Sequence, residues 1–132
     1  MITLSIPLEP VPWAAHRGFG KRSFNPRFKE REAFQWYIKQ QYTEEPITKP
    51  LKVGYEFHMP IPKFISKKAR QKILDGLIRH EKKPDVTNML KFTEDCLKGI
   101  VFVDDALVWE ISACKLYAEN PKVIIYIWNP YG

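Results

Sequence analysis

The sequence is short of the residues that cross-link small domains. It has two cysteines, Cys96 and Cys114, with no C-x-x-C spacing. That excludes a disulfide scaffold and predicts two reduced, buried thiols. Three histidines, His16, His58 and His80, are scattered, none with a second ligand at helical or hairpin spacing, so no zinc site is expected. No apolar run approaches the roughly 20 residues that span a bilayer. The opening MITLSIPLEP lacks a basic region and a small-residue cleavage site, so no signal peptide is expected and the chain reads as cytoplasmic. Internal repeats and low-complexity tracts are also missing.

What is present suits one folded domain over residues 1–132. The chain is 45% hydrophobic and 14% aromatic, enough to bury a core. Lysine and arginine number 21 against 15 aspartates and glutamates, a net charge of +6. Such a balance favours a phosphate-bearing partner without identifying one.

ITLSIPL alternates, predicting a strand over Ile2–Leu8. Residues 9–28 form a long basic loop with three prolines and Arg17, Lys21, Arg22 and Arg27, and loops of this length in compact domains are usually functional or disordered. Phe34, Tyr37, Ile38 and Tyr42 recur at helical spacing over 28–42. LKVGYEFHM (51–59) alternates as a second strand. Ser66 is placed to cap a helix running to about Ile78, with Ala69, Ile73, Leu74, Leu77 and Ile78 on its buried face. Another helix is predicted from Val86 to Lys98, stopped by Gly99. IVFV (100–103) reads as a short strand. LVWEISACKLY (107–117) and KVIIYIW (122–128) read as a hairpin closing the sheet, with Asn120-Pro121 at the turn. Trp36, Trp109 and Trp128 fall at periodic positions that suit a core or a dimer interface. The predicted class is α+β (loosely α/β), a single mixed sheet packed by about three helices.

The chemistry concentrates in KPDVTNMLKFTEDCLKGIVFVDD (83–105). On the helix 86–98, Met89, Leu90, Thr93, Cys96 and Leu97 form the buried stripe, while Asn88, Lys91, Asp95 and Lys98 share the opposite one. Asp85 stands at the turn into this helix. A following strand that runs back alongside would bring Asp104 and Asp105 near the same end. Clustered carboxylates suit a hard cation, and Mg²⁺ commonly needs only a few of them plus a substrate phosphate. A lysine among them suits neutralising charge on that phosphate. Each residue also has an ordinary reading. Asp85 suits a helix cap, Lys91 and Asp95 a solvated i,i+4 pair, and Asp104-Asp105 turn chemistry.

The wording of this segment resembles the RusA family of Holliday junction resolvases, found in bacteria and their phages. Lys83-Pro84-Asp85, Asn88, Lys91, Asp95-Cys96-Leu97-Lys98-Gly99 and Asp104-Asp105 with Val108 match the family motif across 83–108. The resemblance implies a homodimer that binds four-way DNA junctions and, with Mg²⁺ or Mn²⁺, nicks two opposing strands symmetrically. It implies Asp85 and Asp105 as metal carboxylates, Asp104 as neighbour and support, and Lys91 as the catalytic lysine. Asn88 and Asp95 would stand behind them. Thr87 departs from the pattern, because the family commonly has a second aspartate there. A threonine removes one negative charge and implies weaker Mg²⁺ binding unless Asp95, or a water held by Thr87, compensates. The implied reaction is metal-assisted phosphodiester hydrolysis, in which the cation polarises the phosphate and lowers the pKa of a water. Two alternatives stand beside it: a junction-binding protein that no longer cuts, and a flap or branched-DNA nuclease.

Gly20-Lys21 invites a P-loop reading, but Arg22 stands where Ser or Thr is required and Ala15 where the first glycine belongs, so no nucleotide cofactor is expected. The loop cations Arg17, Lys21, Arg22 and Arg27, interleaved with aromatics, suit a DNA backbone and an unstacked junction centre. Lys67, Lys68 and Lys83 are candidates for a second phosphate-binding strip, against the common alternative of a solvated helix face.

Overall fold

The computed structural model describes residues 1–15, 18 and 24–129. Four strands, β1 (Ile2–Ile6), β2 (Leu51–Pro60), β3 (Val108–Ala118) and β4 (Lys122–Trp128), form one sheet in the order β1-β4-β2-β3. Three helices are α1 (Phe28–Gln41), α2 (Lys67–Leu74) and α3 (Val86–Leu97). β4 runs antiparallel to both β1 and β2, whereas β2 and β3 are parallel. The fold is therefore α+β with a mixed sheet. Parallel neighbours need a long crossover, and α2 and α3 occupy the one between β2 and β3.

Alternation along the strands decides which face the helices cover. Leu51, Val53, Tyr55, Phe57 and Met59 of β2 point inward with Val123, Ile125 and Ile127 of β4 and Leu4 and Ile6 of β1. They meet Phe34 and Ile38 from α1 and Met89, Phe92, Cys96 and Leu97 from α3. The Phe34 and Phe92 rings cross edge to face at 5.1 Å, an arrangement that adds about 1 kcal/mol beyond burial. Lys52, Glu56 and His58 of β2, with Ile124, Tyr126 and Trp128 of β4, are only half-buried on the open face.

Several expectations are corrected. The last two strands are not a hairpin, because β2 lies between them, pairing Tyr55 with Ala113 on one side and Ile125 on the other. β2 is the most continuously buried strand, and it gains backbone partners on both edges this way. Residues 100–103 are a turn rather than a sheet strand. Gly99, at φ +86°, donates its N–H to the Phe102 carbonyl at 2.7 Å, and Phe102 touches only isolated bridges to Ile47 and Lys98.

Ser66 does cap α2, its hydroxyl accepting from the Ala69 N–H at 3.1 Å. The helix nevertheless ends at Leu74, well short of Ile78. Gly76 takes φ +75°, and the Leu77 N–H returns to the Lys72 carbonyl at 2.9 Å, a glycine-terminated helix end. Only Ile73 of the predicted stripe is buried; Leu74, Leu77 and Ile78 are exposed. Cys96 is buried, and burial pushes its thiol up to about 12. Cys114 is exposed on the open face instead, since its partner across β2 is Glu56. Trp36 and Trp109 lie on the surface of the chain, not in its core. Trp109 is the extra residue at a β3 irregularity, where pairing passes from Leu51–Val108 to Lys52–Glu110. No helix among the described residues is long and apolar enough to cross a membrane.

Candidate metal and nucleic-acid site

Helix α3 carries the motif. Its buried residues are Met89, Phe92, Thr93, Cys96 and Leu97, which turns Thr87, Asn88 and Lys91 outward. Thr93 lies inside without polar cost, because its hydroxyl donates to the Met89 carbonyl at 2.8 Å.

The three aspartates separate by what their carboxylates already do. Asp85 occupies the N-cap position of α3 but makes no side-chain capping bond, so among the described residues its oxygens are uncommitted at the positive end of the helix. Asp104 is engaged. It accepts the Ala106 N–H at 3.0 Å and caps the short 3₁₀ turn Asp105–Leu107 that launches β3. Asp105 has a buried oxygen, Oδ1, with no hydrogen-bond partner among the described residues. A bare buried carboxylate oxygen is costly unless something binds it.

Asp105 acts on the later turns of α3. Its charge acts on Glu94 and Asp95, which stand nine and ten residues beyond Asp85, about 14–15 Å along a helix axis. Burial raises the Glu94 pKa, and the Asp105 and Asp95 charges raise it further. Asp95 is raised by burial and by Asp105, against the pull of Arg31, Lys91 and Lys98. Tyr55, 2% exposed, has a hydroxyl that also lacks a partner among the described residues. Its pKa is driven up by burial, then by Glu94 and Asp105.

Asp85 faces a different feature, a groove of about 340 Å³ between the Pro10–Pro12 stretch and the start of α3, lined also by Glu9, Lys83 and Asn88. Trp13 closes in nearby. Its N–H donates to the Asn88 carbonyl at 3.0 Å, and its ring centroid lies 3.5 Å from Lys91 Nζ.

Among the described residues no three His, Cys, Asp or Glu side chains converge to hold a metal. Mg²⁺ asks for less, since it keeps several waters and is commonly bound by one or two carboxylates together with substrate phosphates. The unpartnered Oδ1 of Asp105, with Glu94 close by, fits that smaller requirement.

The basic residues divide as well. Arg17, Lys21 and Arg22 lie outside the described residues. Arg27 is half-buried, and its Nε donates to the Pro12 carbonyl at 3.2 Å, so part of its guanidinium closes the base of the loop. Lys67, Lys68 and Lys83 are exposed and make no ion pair among the described residues.

Reading the sequence missed Glu94, Tyr55 and Trp13. Glu94 had a usable signal: it follows Thr87 by seven residues and so shares its helical stripe. Tyr55 had none, because an alternating strand tyrosine looks like any core aromatic.

The Endodeoxyribonuclease RusA family model matches residues 12–128, which takes in the α3 side of the groove, α3 and every strand except β1. The chain is also 36% identical over 128 residues to the uncharacterized protein YqaN of Bacillus subtilis (strain 168), covering 90% of this chain and 89% of that one. With the motif seated on α3 and the match running through nearly the whole fold, the chain belongs to the RusA family of endodeoxyribonucleases, enzymes of the Holliday junction type.

Proposed function

We propose that the protein is a divalent-metal-dependent resolvase that acts as a homodimer and nicks two opposing strands of a four-way DNA junction. The observation that carries this reading is the uncommitted state of the Asp85 and Asp105 carboxylates within the family motif. Both would otherwise be expected to bond nearby N–H groups, as Asp104 does.

Asp105 would hold Mg²⁺ or Mn²⁺ with Glu94 supplying beside it the negative charge that Thr87 lacks, and Asp85 would offer its carboxylate to a divalent ion at the start of α3. When bound, such an ion polarises a phosphate and makes a water nucleophilic near neutral pH. The chain's own groups do the rest. Lys91 presents an ammonium to the non-bridging oxygens of the scissile phosphate, where negative charge gathers as the water attacks. Asp104, tied to Ala106, keeps the 3₁₀ turn in shape and so holds Asp105 at its start. Asn88 and Asp95 flank Lys91 on the same helix face. Lys83, Lys67, Lys68 and the loop cations Arg17, Lys21, Arg22 and Arg27 bind backbone phosphates away from the reaction. In a twofold dimer two such sites would meet opposite strands of a nearly twofold junction, which accounts for paired nicks.

The substitution at Thr87 favours one second reading, a protein that binds junctions without cutting them. Strand-specific labelling of a synthetic junction and of a flap substrate, incubated with Mg²⁺ or Mn²⁺, tests both. Paired nicks confined to the junction are expected. Binding without nicks in either metal would establish the second reading, and preferential flap cleavage would make the protein a branched-DNA nuclease of another kind.

A further inference from the structure

Trp13 belongs to no part of the motif, yet it contacts two of the motif's residues, Asn88 through the backbone and Lys91 through its side chain. Its N–H to the Asn88 carbonyl, 3.0 Å, ties the start of the basic segment to α3. Its indole face then lies against Lys91, with Nζ 3.5 Å from a ring centroid. The Arg27 Nε bond to the Pro12 carbonyl, 3.2 Å, holds the residue next to Trp13 from the other side.

Lys91 makes no ion pair among the described residues. Asp95, the natural i+4 partner, feels its charge but is not bonded to it. Without the ring, an exposed lysine on a helix would sample many rotamers, and ordering it on a phosphate would cost entropy at the moment of binding. An ammonium over an indole face is held electrostatically by the ring quadrupole while its N–H groups stay available. Trp13 itself is 36% exposed, so the ring is a surface clamp and not part of the core.

We propose that Trp13 is a positioning residue for Lys91: its ring fixes the ammonium where a DNA phosphate meets it, without touching the phosphate itself. This rests on the reading of Lys91 given above as a phosphate-contacting lysine.

The test is the salt dependence of four-way junction binding in metal-free buffer, where no cleavage intervenes. Removing one lysine–phosphate contact lowers the slope of log K against log salt by about 0.9. Lys91→Ala is expected to show that drop. Trp13→Ala, which removes no charge, is expected to show most of it, and Trp13→Phe to restore the wild-type slope. Adding Trp13→Ala to Lys91→Ala should lower the slope no further. Circular dichroism on each variant confirms that the fold is kept.

Trp13→Ala with the wild-type slope, while Lys91→Ala shows the drop, overturns the inference and leaves the proposed function standing. Lys91→Ala with an unchanged slope overturns the phosphate role of Lys91, and the inference falls with it. A wild type that binds no junction overturns both together.

Discussion

Lys115 of β3 donates from Nζ to the carbonyl of Pro84 at 3.3 Å and to that of Lys82 at 2.7 Å. The edge strand thus grips the peptide immediately ahead of Asp85 and sets where α3 begins. A charged donor shared by two backbone oxygens contributes about 1 kcal/mol even when partly solvated.

Lys115→Met keeps the alkyl stem and removes the donor. It should lower stability by about 1 kcal/mol in urea titration and weaken junction nicking, because the Asp85 end of the helix loosens. A variant with wild-type stability and nicking would show that the contact has no structural role.

Glu94 predicts a pH dependence of stability. Its folded-state pKa lies above the ordinary carboxylate value because burial, Asp105 and Asp95 oppose ionisation. The folded protein therefore keeps a proton that the unfolded chain has already lost. Stability contributed by the protonated form is present below the unfolded pKa and is lost as pH rises through the folded one. Glu94→Gln should accordingly raise Tm relative to wild type more at pH 7 than at pH 4. A constant difference across that range would contradict the assignment.

The same carboxylate predicts metal affinity. Glu94→Gln should weaken Mn²⁺ binding about tenfold, equal to ~1.4 kcal/mol, and Thr87→Asp should tighten it, both read by electron paramagnetic resonance of free Mn²⁺. Equal affinities in wild type and Glu94→Gln would remove Glu94 from the site.

Gly54 is needed for close approach on the open face of the sheet. A Cβ there would meet Ser112 Oγ at 2.9 Å and the Trp128 ring at 3.2 Å. Gly54→Ala should destabilise by about 1–2 kcal/mol through overpacking, measured in urea. Ser112 can rotate away but the Trp128 ring has less room, so pairing it with Trp128→Leu should recover part of the loss.

The helices and strands were largely legible because their apolar spacing reports which face is buried. α3 is the clearest case, with its stripe of Met89, Thr93, Cys96 and Leu97 and its stop at Gly99. Strand order was not legible. β3 and β4 both alternate and are separated by a short turn, which is equally compatible with a hairpin and with a strand placed between them. Nothing local in either strand encodes the pairing of Tyr55 with both Ala113 and Ile125. α2 was overextended because Leu77 and Ile78 continue the helical spacing, while Gly76 ends the helix by its backbone conformation. Within the site, residue types were readable and their company was not. The influence of Asp105 on Glu94 depends on where the 3₁₀ turn sets its carboxylate, and the seat of Lys91 depends on a tryptophan 78 positions earlier.

On the proposed function, Asp105 would carry a metal needed for cutting and not for binding. The direct measurement uses a labelled four-way junction at low ionic strength with wild type and Asp105→Asn, each with and without Mg²⁺. Paired nicks are expected from wild type with Mg²⁺ alone. Asp105→Asn should lose at least a hundredfold in nicking rate while binding the junction as tightly or more tightly, because one negative charge has left the path of the phosphate. Nicking by Asp105→Asn at the wild-type rate, or by wild type without any divalent ion, would contradict the account.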